Sequence, residues 1–336
     1  MTRQHVVKEL LGEACRPQKM YGKAYASSNI ALCKYWGKRN AALNLPVNSS
    51  LSISLGHLGT ETIVSQNDSF DEIRLNDQIL DSTSPFAARL SQYLDLFRPK
   101  PDFFFNVKTR NNFPTAAGLA SSASGYAAMV LALSDFFKWD VEKKALSILA
   151  RLGSGSAARS IYNGFVEWHR GHSDHGFDSY AENLPEEWPE LRLAVIAVSG
   201  QSKPIGSTAG MKRTVETSAL YKSWPEKAEH DLQLIRDAIY KKNFAQLGAT
   251  AESNALAMHA TMIDTQPPVL YWLPGTVAAF HKIWRLRQQG LDIYFTIDAG
   301  PNVKVFFQEK DQGMVRDAFE GAEIIVPFGM DDMKFF

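Results

Sequence analysis

Asn111-Asn112-Phe113-Pro114-Thr115-Ala116-Ala117-Gly118-Leu119-Ala120-Ser121-Ser122-Ala123-Ser124-Gly125-Tyr126 contains no charged side chain. Between Pro114 and Gly125 every residue except the proline and Leu119 is Ala, Gly, Ser or Thr. Small side chains let a backbone approach a ligand, and Gly118 permits a tight turn. From Ser121 to Ser134 the sequence reads as the start of an apolar helix, with Met129, Val130, Leu131 and Leu133 further in. A glycine loop entering a helix N-terminus aims backbone N–H groups and a partial positive charge at one spot, which suits a phosphate. The same composition would also suit a close helix–helix contact. The rest of the chain has to separate the two.

Around this stretch, strands and helices alternate irregularly. Tyr25–Ile30 reads as a strand leading to Lys34-Tyr35-Trp36-Gly37-Lys38, with Trp36 as a core anchor. Leu51, Ile53 and Leu55 alternate with Ser52 and Ser54, the period of a half-buried strand, and Thr60–Val64 looks like its hairpin partner. Asp71–Asp77 and Phe103–Thr109 read as further strands, and Ser84–Phe97 and Val141–Leu152 as helices. A second small-residue loop, Gly153-Ser154-Gly155-Ser156, runs into helical sequence. There Arg159 falls in a first turn, where the helix dipole disfavours a cation, so an anionic partner is expected. The alternative is a surface arginine paired with a nearby acid. The apolar strand Leu191–Val198 marks the lobe boundary. Helical periodicity follows over 223–240, 244–258 and 275–288, then a hairpin formed by 291–297 and 303–307 around Asp298-Ala299-Gly300-Pro301-Asn302. Asp298 is either turn chemistry or a carboxylate presented from a rigid hairpin.

Composition narrows the function. The chain has 336 residues, enough for two lobes, and 36 basic against 36 acidic side chains. Zero net charge argues against a nucleic-acid binder. Two cysteines cannot make a disulfide framework, and a reduced cytoplasmic setting is expected. No apolar run reaches the roughly 18 residues of a membrane span, and no signal-type core opens the chain. His169, His172 and His175 stand near Asp174 and Asp178, but no regular element fixes their geometry for a metal. There is no Walker-type Gly-x-x-x-x-Gly-Lys-Ser/Thr and no Gly-x-Gly-x-x-Gly after the first strand.

Together the motifs resemble one family. Asn29-Ile30-Ala31 with Lys34–Lys38, Leu45-Pro46-Val47-Asn48-Ser49-Ser50, the loop 111–125, Gly153–Ser160, Gly210–Ser218, Ser253-Asn254-Ala255 with Met258–Thr261, and Asp298–Asn302 are similar to blocks of the mevalonate diphosphate decarboxylases. These belong to the galactokinase, homoserine kinase, mevalonate kinase and phosphomevalonate kinase (GHMP) superfamily. The blocks occur in family order over about residues 24–308. The resemblance implies an α+β, GHMP-kinase-type two-lobed fold: a ribosomal protein S5 domain 2-like N-terminal lobe, a ferredoxin-like C-terminal lobe and a cleft between them. The expected division is an extension at 1–20, an ATP-binding domain at 21–196 and a C-terminal domain at 197–336.

The same resemblance implies ATP-dependent decarboxylation of mevalonate 5-diphosphate to isopentenyl diphosphate, with Mg²⁺ carried by ATP, in a homodimer. Asp298, Arg159 and Lys38 would be catalytic. Tyr35 and Lys38 would meet the diphosphate, with Ser154, Ser207 and Met211 around it, and Arg159 with Ser156 would hold the carboxylate. Pro114, Ala117, Gly118, Leu119, Ala120, Ser121 and Ser122 would cradle ATP, Ser122 also touching Mg²⁺. A mevalonate 3-kinase, a phosphomevalonate decarboxylase or a non-catalytic ligand-binding paralogue are the alternatives. Residues 1–20 match nothing in the family pattern.

Overall fold

The computed structural model describes residues 1–12, 15–113, 121–201 and 203–328. Helix α1 (Arg3–Leu11) opens the chain, started by Thr2, whose side chain accepts from the His5 N–H, and ended at Gly12. Its Val6, Val7 and Leu11 are buried, each contributing about 1.5–3 kcal/mol by leaving water. The first lobe continues with β1 (Tyr21–Cys33), β2 (Lys38–Asn40), β3 (Leu45–Pro46), β4 (Ser50–Asn67), β5 (Glu72–Leu75), β6 (Gln78–Ile79), α2 (Pro85–Leu94), β7 (Phe104–Asn111), α3 (Ser121–Phe137), α4 (Lys143–Gly153), β8 (Phe165–Trp168) and β9 (Ala181–Asn183). A seven-stranded sheet runs β6-β5-β7-β4-β8-β9, with β1 also pairing β4. The second lobe holds β10 (Leu191–Ile196), α5 (Ser207–Thr217), α6 (Trp224–Tyr240), α7 (Phe244–Ile263), α8 (Pro274–Gln288), β11 (Tyr294–Ile297), β12 (Val303–Gln308), α9 (Gln312–Ala318) and β13 (Glu323–Ile325). Its antiparallel sheet has the order β11-β12-β10-β13. Because β10 belongs to this second sheet, we place the division between lobes ahead of Leu191.

Two expectations from the sequence fail at β4. The stretches 51–55 and 60–64 are not the arms of a hairpin but parts of one 18-residue strand. The glycines at 56 and 59 make a bend, not a reversal, because the neighbouring strand holds it from the side. Ser27 Oγ donates to the Gly56 carbonyl at 2.8 Å and Tyr25 Oη to that of His57 at 2.7 Å. A register shift between Ser27 and Asn29 lets β1 bend with its partner. Nor is its 51–55 part half-buried, for Ser52 and Ser54 are as enclosed as Leu51 and Ile53. Its serine face is covered by the segment that follows α4, where Ser54 Oγ donates to the Tyr162 carbonyl at 3.2 Å.

Helix α3 follows the opening loop and is the central helix of the first lobe. Ala123, Ala127, Ala128 and Ala132 are fully buried, so small residues here also serve close packing. A Cβ at Gly22 of β1 would come within 2.1 Å of the Ala132 carbonyl oxygen. The close-packing reading of the small residues therefore holds for the alanines of α3.

Candidate active site

Asp298 stands just past the end of β11, where the chain turns toward β12. The Gly300 N–H bonds the Asp298 carbonyl at 2.7 Å, but the carboxylate is not spent on the turn. Its Oδ1 accepts from Lys34 Nζ at 2.7 Å, and Oδ2 lies 3.4 Å from Lys304 Nζ. Both lysines are 1% exposed, whereas the Asp298 side chain retains 28% of its surface. Burial pushes the Asp298 carboxyl pKa up, yet the two ammoniums overcome this and hold it well below the ordinary carboxylate range. Burial pulls Lys34 down, opposed by the same carboxylate.

The second lobe supplies the scaffold for this charge cluster. On α7, Asn254 Oδ1 accepts from the Lys34 backbone N–H at 2.8 Å, while its amide donates to Asp231 on α6 at 2.9 Å. One turn further, the His259 ring N–H donates to the Asp298 carbonyl at 3.1 Å. Burial and the nearby Lys34 hold that imidazole down at about 3, so it remains neutral. Asn302 Oδ1 takes the N–H groups of Val198 and Ser199 at 2.8 and 3.0 Å, tying the turn to the end of β10. Lys203 Nζ reaches the Ala299 carbonyl at 2.8 Å and Ser207 Oγ at 3.0 Å.

Arg159 differs from its expected setting. It lies in the last turn of a short 3-10 helix, Gly155–Ile161, and not in a first α-helical turn, so the peptide dipoles favour its charge where the sequence reading has them oppose it. Nor is it on the surface. At 3% exposure, its guanidinium donates to Ser50 Oγ at 2.5 Å and to Asn29 Oδ1 at 3.3–3.4 Å. Burial lowers it to about 10, against the pull of Asp298, so it keeps its charge. Neutral partners leave that charge available to a carboxylate.

Tyr35 lies against Gly155, between Ser154 and Ser156, and Lys38 is joined through Asn44 to the end of α4 just before them. Tyr35 packs edge-on to Trp168 with ring centroids 4.8 Å apart, and among the described residues its buried hydroxyl has no hydrogen-bond partner. Gly155 must lack a side chain, since a Cβ would come within 3.0 Å of that hydroxyl. Ser154 and Ser156 hydroxyls lie 3.5 Å apart. Lys38 Nζ donates to Asn44 Oδ1 at 2.7 Å. Gly37 sets the direction of this segment: its φ is 106°, and a Cβ would overlap the Tyr221 hydroxyl at 1.8 Å. Ser207 opens α5, and Met211, buried one turn later, belongs to the core that includes Trp36 and Tyr271.

Pro114, Ala117, Gly118, Leu119 and Ala120 lie outside the described residues. Ser121 and Ser122 form the first turn of α3, Ser122 exposed and Ser121 half-exposed. Their hydroxyls are hard oxygen donors of the kind Mg²⁺ accepts beside phosphate oxygens and water. The donor set therefore fits a metal brought in with a nucleotide. In the histidine stretch, His169 bonds Glu182 at 2.7 Å and Glu167 at 3.2 Å, while Asp178 accepts the N–H groups of His172 and Ser173.

Two family models span this arrangement. The Diphosphomevalonate decarboxylase-like N-terminal domain matches residues 26–181, and the Mevalonate 5-diphosphate decarboxylase C-terminal domain matches 193–323. The chain belongs to the diphosphomevalonate decarboxylase family. The diphosphomevalonate decarboxylase of Bos taurus is 40% identical over 303 residues, covering 84% of this chain and 75% of its own. That of Candida albicans is 36% identical over 307 residues, covering 86% and 85%. Mevalonate diphosphate decarboxylase from Staphylococcus aureus superposes with a TM-score of 0.87 at 37% identity, covering 93% of this chain and 96% of that one. A solved complex of MDDEF with MVAPP, AMPPCP and magnesium gives 0.85 at 41%, covering 91% and 96%. This is the GHMP-kinase-type two-lobed fold that the motifs imply, and among the described residues no helix is long and apolar enough to cross a membrane.

Lys34, Lys304, Lys203, Asn254 and His259 received no role from the sequence. Lys304 is the cross-strand partner of Thr296, and both are enclosed, so the polar side of the 294–308 hairpin faces inward to Asp298.

Proposed function

We infer that this member of the family catalyses ATP-dependent decarboxylation of mevalonate 5-diphosphate, yielding isopentenyl diphosphate, ADP, phosphate and carbon dioxide. The observation that carries the reading is the Asp298 carboxylate held between two buried ammoniums, with Arg159 close enough to feel its charge. Asp298 would orient the substrate 3-hydroxyl for attack on the γ-phosphorus of ATP. A carboxylate so strongly stabilised is a weak base. It would take the hydroxyl proton late, once the new O–P bond has made that oxygen acidic. Mg²⁺, held by phosphate oxygens and Ser122, would neutralise phosphate charge.

In the second stage the C3–O bond breaks and its electron pair leaves with phosphate. The C–C bond to the carboxylate then supplies the electrons of the new double bond, releasing carbon dioxide. The positive charge that builds at C3 lies beside the fixed Asp298 carboxylate. Arg159, held by Asn29 and Ser50, would fix the substrate carboxylate for this fragmentation. Tyr35, Lys38 and Ser154, with Ser207 and Met211, would hold the diphosphate, and Ser156 would join Arg159 at the carboxylate.

The purified chain with ATP, Mg²⁺ and mevalonate 5-diphosphate should release carbon dioxide and ADP in equal amounts, measured by trapped label and a coupled ADP assay. ADP without carbon dioxide would replace this reading with a 3-kinase. Equal activity on mevalonate or its monophosphate would remove the diphosphate from the specificity.

A further inference from the structure

The N-terminal extension takes no part in the chemistry above, yet it is built against the stretch that carries Lys38. That stretch, 38–46, is a two-stranded ribbon of β2 and β3, paired through Lys38 with Pro46 and Asn40 with Leu45. A ribbon this short does not hold its own shape in water. Two contacts and one backbone conformation hold it here. Arg3 Nε of α1 donates to the Ala42 carbonyl at its tip, at 2.6 Å. Leu43 and Leu45 are fully buried in the same core as Val6, Val7 and Leu11 of α1. Between those leucines, Asn44 adopts a left-handed backbone conformation with φ 53°, which asparagine tolerates better than most residues.

Asn44 is the joint. Its amide donates to the carbonyls of Arg151 and Leu152 at 2.9 and 3.2 Å, acceptors that the end of α4 leaves without helical partners. Its oxygen accepts from Lys38 Nζ at 2.7 Å. One side chain thereby sets the Lys38 ammonium against the helix end that leads directly into Gly153 and Ser154. An amide holds an ammonium in place without neutralising it, so an incoming phosphate need not break an ion pair. Burial, and secondarily Arg3, both act against the Lys38 charge, and an anion would relieve both.

We propose that α1 is a positioning element of the phosphate-binding end of the site, acting through Arg3 and Asn44 to fix the Lys38 ammonium beside Ser154. The proposal rests on the reading that Lys38 binds the substrate diphosphate.

The test compares full-length Arg3→Ala, Arg3→Lys, Asn44→Gly and Lys38→Ala with the parent chain. Glycine keeps the backbone of residue 44 and removes only its amide. Measured are kcat, KM for each substrate and melting temperature. Arg3→Ala should raise the KM for mevalonate 5-diphosphate about 3- to 10-fold, with kcat and the KM for ATP unchanged, and Arg3→Lys should recover most of the loss. Asn44→Gly should act in the same direction and further. Lower melting temperatures with an unchanged KM in both positions would overturn the proposal and make α1 mere packing. If Lys38→Ala raises the KM while the Arg3 and Asn44 variants do not, the proposal alone fails. If Lys38→Ala itself leaves the KM unchanged, the reading of Lys38 fails and takes the proposal with it.

Discussion

The two ends of the site are charged in different ways. Around Asp298, opposite charges are paired within the protein: Lys34 and Lys304 each meet one carboxylate oxygen. Around Lys38, the polar groups meet neutral partners or none. Lys38 touches an amide oxygen, the Tyr35 hydroxyl is unpartnered among the described residues, and Ser154 and Ser156 face each other at 3.5 Å. The first arrangement would suit a charge that develops during the proposed reaction. The second would suit a charge that arrives with the proposed diphosphate. Residues of the first end should therefore govern kcat, and residues of the second should govern KM.

The largest effect should come from Asp298→Asn, which removes the negative charge but keeps the shape. A fall in kcat of about 10³-fold or more is expected, read in a steady-state ADP assay; a fall confined to KM would erase the distinction between the ends. Next, Lys38→Ala should raise the KM for mevalonate 5-diphosphate ~10- to 100-fold, by the loss of a charge-assisted phosphate contact, with kcat nearly kept. A large kcat effect would mean that Lys38 belongs with Asp298.

The smallest effect sharpens the first end alone. In the proposed reaction Asp298 acts as the carboxylate, and its depressed pKa depends on two ammoniums working against burial. Lys304→Met removes one of them, so the carboxyl pKa rises and the acid limb of the kcat profile moves to higher pH. Lys304→Arg should leave the limb near its original place. An unmoved limb in Lys304→Met would assign the clamp to Lys34 alone.

The same contrast explains what the sequence discloses. The candidate residues Lys38, Arg159 and Asp298 stand in short sequence blocks that can be recognised without knowing any long-range contact. Lys34 meets Asp298 across a separation of 264 residues, and no local pattern encodes such a meeting. Alternation misled in a consistent way. Ser52 and Ser54 in β4, and Thr296 and Lys304 in the hairpin, occupy the phase that normally faces solvent, yet all are enclosed. In each case the polar side faces protein or the site, so periodicity reports the strand correctly and its surroundings wrongly. The setting of Arg159 was misread for a related reason: the sequence after the small-residue loop reads as an α-helix, and the chain forms a 3-10 turn packed against β1 and β4. The role of α1 was out of reach, because Arg3 bonds a carbonyl 39 residues away.

The most direct test of the account is the affinity of Asp298→Asn for mevalonate 5-diphosphate and for nucleotide, measured by calorimetry on the same preparation that has lost turnover. Affinities close to those of the parent chain would show a site that assembles and binds but cannot react. Collapse of either affinity would show instead that Asp298 serves to hold the two lobes together, and that the chemistry lies elsewhere.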